Sequence, residues 1–338
     1  MLRAKRRDGL AVASSAALGT GIAAFSALAM PASAWACATC GCTLSSDAAM
    51  GYSATAGWRI NLEYDYINQD ELRSGTNAVA GVPDGNELEH DTLNRYYTLG
   101  VTYSPNSVWA IEALVPYIVR THSTYGDFDS SAPLPDLSNS RSSSWGDIRF
   151  IGSFQGFLPT HNLGVQLGVK LATGKYGTSV DFYNGPNAGS PLDASLQPGT
   201  GSTDIIVGAY YYQAISQDFD FTLNAQFQSA LKENQNQPGN DFRPGNSTTV
   251  SFGLRYEANP KWVPQLQLNL LRKSADQGAL ADTLDVEGTV AYLSPGITAQ
   301  IVKSLDVYGF VQIPVYSNLD GYQVFPHYTT TVGLSYAF

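Results

Sequence analysis

Charge is scarce in this sequence. Lys, Arg, Asp and Glu make up 14% of its 338 residues, against roughly 25% in ordinary soluble proteins, so a conventional hydrated surface over the whole chain is excluded. Cations are scarcer still: 19 Lys and Arg stand against 29 Asp and Glu, a net charge of -10. Nucleic-acid binding through phosphate contacts, which needs clustered cations, is excluded with them. The Ala-, Glu-, Lys- and Leu-rich makeup of helical bundles is missing. Beyond residue 34 no run approaches the 18 or so apolar residues of a spanning helix. What is abundant is aromatic and small, with 20 Tyr, 14 Phe, 5 Trp and 32 Gly. That mixture argues against disorder and favours strands.

Residues 1–34 read as a secretory signal. Arg3, Lys5, Arg6 and Arg7 form a basic start, an Ala-rich apolar stretch runs from Leu10 to Met30, and Ala32-Ser33-Ala34 is a small-x-small cleavage site. Without the four cations and Asp8, the remaining chain carries -13. An exported protein with a periplasmic segment at 35–56 is expected, followed by a larger unit from 57 to 338.

That larger unit alternates with period two. Trp58, Ile60, Leu62, Tyr64 and Tyr66 interleave with Arg59, Asn61, Glu63 and Asp65; Leu163, Val165, Leu167 and Val169 interleave with Gly164, Gln166, Gly168 and Lys170. Successive strand side chains point to opposite faces, so each segment has one apolar and one polar face. Twelve such segments occur, near 57–67, 93–104, 108–121, 146–158, 162–173, 203–216, 219–231, 248–258, 262–273, 287–301, 305–316 and 327–338. Each matches a tilted membrane-spanning strand of roughly ten residues.

Connections alternate as well. Those after segments 2, 4, 6, 8 and 10 are short, as in Pro105-Asn106-Ser107 and Gln217-Asp218, whereas those after the odd-numbered segments are long and rich in Gly, Pro, Asn, Asp and Ser. Tight periplasmic turns opposite long outer loops are the rule of outer-membrane barrels, which also have even strand numbers. Trp58, Trp109, Trp262, Tyr103, Tyr117 and Tyr316 lie near segment ends, as interface girdles require. The alternation slips only at Pro295-Gly296, where a β-bulge is expected. The pattern predicts an all-β protein: a twelve-stranded antiparallel transmembrane β-barrel in the outer membrane of a Gram-negative bacterium, in contact with lipid and lipopolysaccharide. Its final strand, ending Ser335-Tyr336-Ala337-Phe338, is similar to the signal read by the barrel-assembly machinery.

Four stretches carry a family resemblance: Trp145-Gly146-Asp147-Ile148-Arg149-Phe150-Ile151-Gly152, Gly201-Ser202-Thr203-Asp204-Ile205-Ile206-Val207-Gly208, Tyr292-Leu293-Ser294-Pro295-Gly296, and Tyr308-Gly309-Phe310-Val311-Gln312-Ile313-Pro314-Val315-Tyr316. With these the chain resembles a family of outer-membrane transporters named for the meta-cleavage pathway of phenol degradation. The resemblance implies a channel or transporter passing a small molecule, aromatic compounds among the solutes.

If the apolar face meets lipid, the polar face lines the lumen. Alternation places Arg59, Glu63, Asp65, Glu112, Arg120, Asp147, Arg149, Lys170, Asp204, Asp220, Arg255 and Asp306 there. Charges in a narrow lumen either neutralise one another or form a filter that orients a polar solute; the sequence fits both. Asp70, Glu71, Asp84, Glu87, Glu89 and Asp91 crowd the first long loop, and Asp276, Asp282, Asp285 and Glu287 the fifth. None has calcium-loop spacing.

All three cysteines lie together, as Cys37, Cys40 and Cys42. Soft sulfur ligands at this spacing suit Cu or Zn, and an oxidising periplasm favours a disulfide instead. The segment makes a metal- or redox-linked binding platform the alternative function. No catalytic residues are assigned: Gly-x-Ser-x-Gly is absent, and Ser123 beside His122 occupies the opposite strand face. The expected protein is therefore no enzyme.

Overall fold

A computed structural model describes residues 56–338 except 284. The expected signal, the 35–55 segment and Cys37, Cys40 and Cys42 lie outside the described residues. The wall is built from β1 (Gly57–Gly75), β2 (Glu87–Ser104), β3 (Trp109–Asp127), β4 (Ser138–Trp145), β5 (Arg149–Phe154), β6 (Leu163–Lys170), β7 (Ser202–Ala214), β8 (Phe219–Glu233), β9 (Ser247–Tyr256), β10 (Trp262–Lys273), β11 (Gly288–Val302) and β12 (Leu305–Ala337). Each pairs antiparallel with its neighbours, and β1 pairs both β2 and β12, which closes the sheet.

Eleven of these elements form the ring, with β4 bonded to β3 above β5. A closed ring of antiparallel pairs needs an even number, and β12 supplies the missing stave. It is 33 residues long and turns back on itself: residues up to Leu319 pair β11, and residues from Leu319 onward pair β1. The Ala337 amide donates to the Ser304 carbonyl (2.9 Å) across the two arms. Gly321 at the reversal has φ +60°, a left-handed conformation that favours glycine. The barrel has twelve staves, as the alternation predicts.

The sides are inverted relative to a soluble protein. Along β10, Trp262, Pro264, Leu266, Leu268 and Leu270 are exposed, while Gln265, Gln267, Asn269 and Lys273 are buried. Lipid replaces the missing core on the outside, and closure of the sheet pairs the backbone of the ring strands with one another. Aromatic residues bound the apolar band. Trp58 stacks near Tyr103 (4.6 Å between centroids) and Trp109 near Phe154 (4.6 Å) at one end. At the other end the register aligns Tyr64, Tyr97, Tyr117 and Trp145 across four strands. Short turns lie at the first end and are closed by side chains: Asn106 Oδ1 accepts the Val108 and Trp109 amides (2.8 and 3.0 Å), and Ser216 Oγ accepts those of Asp218 and Phe219 (3.2 and 3.1 Å).

Large lumen side chains need room on the facing strand. A Cβ at Gly333 would lie 2.1 Å from the Tyr308 ring, and one at Gly164 would lie 2.2 Å from Tyr210. These glycines let the two tyrosines lie flat along the inner wall, where Tyr308 donates to Glu63 Oε2 (2.7 Å) and Tyr210 to Gln155 Oε1 (2.8 Å).

Three sequence expectations are corrected. The fourth stave starts at Ser138 rather than 146, because the polar run Ser138–Ser144 continues the sheet above the membrane, where no apolar face is needed. The connection after the eleventh segment is a tight reversal rather than a long loop, for the same reason. No bulge occurs at Pro295-Gly296: β11 keeps unbroken register with β10 from Gly288 to Ala299. The apparent slip arises because Val290 and Tyr292 are apolar yet face inward, packing with Leu271, Leu319 and Phe325 at the outer end. The irregularity lies against β12, between Ala291 and Tyr292.

Candidate functional site: the lumen and its inward loop

Every charged residue assigned to the lumen is shielded. Glu63, Asp65, Glu112, Arg120, Asp147, Lys170 and Asp204 are buried, and Arg59, Arg149, Asp220, Arg255 and Asp306 are half-buried. They fall into separate groups. Toward the short-turn end, Asp220 pairs in register with Arg255, and Asp306 lies within electrostatic reach of Arg59 and Arg255. Arg255 forms its ion pair with Glu257 (3.0 Å), so this group mixes both signs. Farther up, Glu63 faces Asp65 and Glu112, with Thr331 donating to Asp65 (2.6 Å) and Thr102 to Glu112 (3.4 Å). This group is acidic. Arg149 stands opposite Lys170 in register.

The third group organises a loop. Lys170 ends β6 with its ammonium 3.2 Å from Asp147 and 2.9 Å from Asp204. Asp147 sits in the break between β4 and β5, where its Oδ1 accepts the Gly174 amide (3.0 Å) and its Oδ2 accepts the Thr200 amide and hydroxyl (3.0 Å each). One buried carboxylate thus holds both ends of the segment 174–200. Its chain closes tightly beside Gly146: a Cβ at Gly174 would come within 2.9 Å of Gly199 and 3.0 Å of Gly146. Between these ends the loop folds against the inner wall. Phe182, Leu192 and Leu196 bury one another, and Arg120 donates to the Leu196 carbonyl. Arg120 also reaches Asn94 and the Tyr96 hydroxyl (3.1 Å), so the guanidinium clamps loop to wall.

Above the aromatic row the mouth is acidic and crowded. Burial, then Asp193, pushes Glu87 up to about 7. Asp193 rises to about 6 through burial and Asp282. Burial likewise raises Asp285 to about 6, and burial and Glu87 hold Glu89 well above the ordinary carboxylate range. His122 moves the other way, to about 4, through burial and the nearby Arg120. It is neutral at neutral pH and accepts or donates at Thr92 through Nδ1 (2.8 Å). Raised carboxylates are charged only above their new pKa, so the mouth gains negative charge as pH rises through about 6 to 7. Cation preference, read as reversal potential in a KCl gradient, is expected to fall on acidification from about pH 8 to about pH 5. A constant reversal potential over that range contradicts a role for the mouth carboxylates.

Sequence reasoning overlooked three parts of this site. The amide rows, such as Gln166, Gln267 and Asn269, occupy the same inward parity as the charges and were legible by that rule. The inward course of 174–200 has no local signal beyond its length. Ser123, which strand parity separates from His122, meets another histidine: its hydroxyl lies 3.3 Å from His90 Nδ1, and that same nitrogen lies 2.9 Å from Asp91. Both contacts use one ring nitrogen, so the histidine does not bridge hydroxyl and carboxylate as a nucleophilic triad demands.

A family model described as "Putative MetA-pathway of phenol degradation" matches residues 76–318, well over half of the chain. The chain belongs to that family. No curated protein matches it. Among solved structures, the COG4313 outer membrane channel from Pseudomonas putida F1 has a TM-score of 0.60 at 12% identity, covering 85% of this chain and 98% of that one. The CymD monoaromatic hydrocarbon channel gives 0.43 at 10% identity over 88% and 94%. The Ralstonia pickettii toluene transporter TbuX gives 0.42 at 9% over 84% and 90%. The first likeness establishes the fold, and with the lipid-facing band and girdles it identifies an outer-membrane β-barrel. The stretches that carry the family resemblance now have physical roles. Trp145-Gly146-Asp147 supplies the girdle, the close approach and the loop anchor. Ser202 and Asp204 complete the anchor, with the Ser202 hydroxyl bonded to Asp204 (2.5 Å).

Proposed function

We propose that this family member is a channel for small solutes that carry hydrogen-bonding groups, with 174–200 setting the aperture. The observation behind this reading is the state of the inner wall. Gln166 Oε1, Gln267 Oε1, Asn269 Oδ1 and Thr329 Oγ1 are buried with no hydrogen-bond partner among the described residues. In a sealed core each such atom would cost about 1–3 kcal/mol. Packed inner-wall side chains shut these atoms off from water here, and a solute that parts those side chains supplies the missing partners. The apolar group around Tyr292 and Phe325 lies on the same inner wall, which suits a solute with a ring and a hydroxyl over a bare hydrocarbon. The family description supports phenolic compounds as the class to try first.

The final arm of β12 is proposed to engage the assembly machinery, and residues 1–34 to direct export. Channel activity is tested by uptake into proteoliposomes of phenol, catechol, benzoate, toluene and arabinose. Phenol and catechol are expected to enter faster than toluene relative to protein-free vesicles. Uptake equal to protein-free vesicles for every solute overturns the channel, and toluene outpacing catechol overturns the hydrogen-bonding preference.

A further inference from the structure

The ring of hydrogen bonds has one weak place. On one side β4 pairs β3 along its whole length. On the other it meets only Phe182–Asn184, through Asn139 and Ser140. Residues 141–145 therefore present a strand edge with no ladder partner among the described residues, and such an edge offers a row of backbone amides and carbonyls. A cavity of about 370 Å³ lies elsewhere, over Glu287 and Asp320. The one at this edge is about 330 Å³, and Arg141, Ser143, Ser144, Lys175, Ser179 and Asp181 line it.

Its chemistry is unusual for this chain. In a sequence with ten more acids than bases, two cations converge here, and neither Arg141 nor Lys175 has an ion-pair or side-chain hydrogen-bond partner among the described residues. Four serines, Ser142, Ser143, Ser144 and Ser179, stand beside them. Cations in an acidic protein normally find carboxylates; two left together beside hydroxyl donors make a receptor for an oxyanion.

Position selects the oxyanion. Trp145, 59% exposed and 5.2 Å from Tyr117, belongs to the outer aromatic row. Arg141 is on the same outward face of β4, four residues farther from the membrane, or roughly 13 Å along the strand. Aromatic belts mark the depth where acyl chains give way to head groups. Arg141 and Ser143, exposed on that outward face just above that depth, meet the phosphates of the outer leaflet.

We propose that Arg141 and Lys175, with the adjoining seryl hydroxyls and the free edge of β4, bind a phosphate of outer-leaflet lipopolysaccharide and so close the weak place in the wall. Asp181 opposes the phosphate and tempers the affinity. Lys175, Ser179 and Asp181 belong to the segment proposed to set the aperture, and lipid binding there is read independently of which solute the channel passes.

The full-length protein, purified in detergent, is titrated with lipid A bearing its phosphates, with dephosphorylated lipid A and with inorganic phosphate, and bound species are counted by native mass spectrometry. Phosphorylated lipid A is expected to bind at least about tenfold more tightly than the dephosphorylated form. The Arg141→Ala, Lys175→Ala double variant should abolish that preference, and Asp181→Asn should strengthen it a few-fold. If the double variant loses heat-modifiable gel mobility, Lys175→Met and Asp181→Asn, on the loop alone, must shift affinity in opposite directions. Equal binding of both lipid A forms overturns the site. Inorganic phosphate competing at equal affinity overturns the lipid as its ligand, as does a double variant that folds and binds like wild type.

Discussion

The Asp147→Asn variant is expected to pass several-fold more current than the wild type in planar bilayers, with current switching between two levels. Among the described residues Asp147 is the one carboxylate that contacts both ends of 174–200, through the Gly174 amide and the Thr200 amide and hydroxyl. Replacement by an amide removes the charge, leaves one acceptor oxygen where two backbone amides now bind, so that Nδ2 faces an N–H donor, and breaks one of the two ion pairs of Lys170. A charge-assisted hydrogen bond contributes about 1.5–3 kcal/mol, a neutral one about 0.5–1.5. The seated loop therefore loses about 2–4 kcal/mol, a shift of roughly 30- to 700-fold toward the displaced state. Arg120 still grips the Leu196 carbonyl, so the loop moves rather than unfolds, which explains the discrete levels. A current histogram identical to wild type, in protein of normal heat-modifiable mobility, removes the loop from the conduction path.

The second large effect concerns stability. Lys170→Met leaves Asp147 and Asp204 buried together without their shared cation. Removing one partner of a buried ionic group costs about 3–5 kcal/mol, because the remaining charge stays desolvated. The temperature at which the folded band disappears on unheated gels should fall markedly. The triple variant Lys170→Met, Asp147→Asn, Asp204→Asn should recover most of the loss, since no net charge remains buried. Gln228, which donates to Asp204 (2.6 Å), can donate to the substituted amide oxygen as well. Such recovery is non-additivity of one network. Three independent, additive losses would show that the triad is not a unit.

Both effects arise from residues that alternation had placed inside the barrel but had not connected. Period two put Asp147, Lys170 and Asp204 on the inner face. It carried no information about the break at Gly146-Asp147-Ile148 that turns one carboxylate toward loop ends 27 and 53 residues away in sequence. The same limit governed Arg120, whose partners Asn94 and Leu196 come from a neighbouring strand and a distant loop.

The sequence by itself determined that twelve segments with one greasy face must close around a polar interior in a membrane. Lipid tolerates no unpaired backbone, so alternation leaves a closed barrel as its solution. It also determined which charges face inward, because strand parity is local. Tertiary structure alone decided which inward charges find an opposite partner, as Arg255 does in Glu257, and which accumulate, as Glu63, Asp65 and Glu112 do. It decided too that 174–200 turns into the barrel rather than away from it, and that β4 keeps a free edge beside Arg141 and Lys175. The accumulation, the loop's course and the free edge depend on distances between residues far apart in the chain, set by the closure of the sheet and by the loop's own small apolar cluster of Phe182, Leu192 and Leu196. Period two reports the facing of a residue; it does not report its neighbour across the lumen.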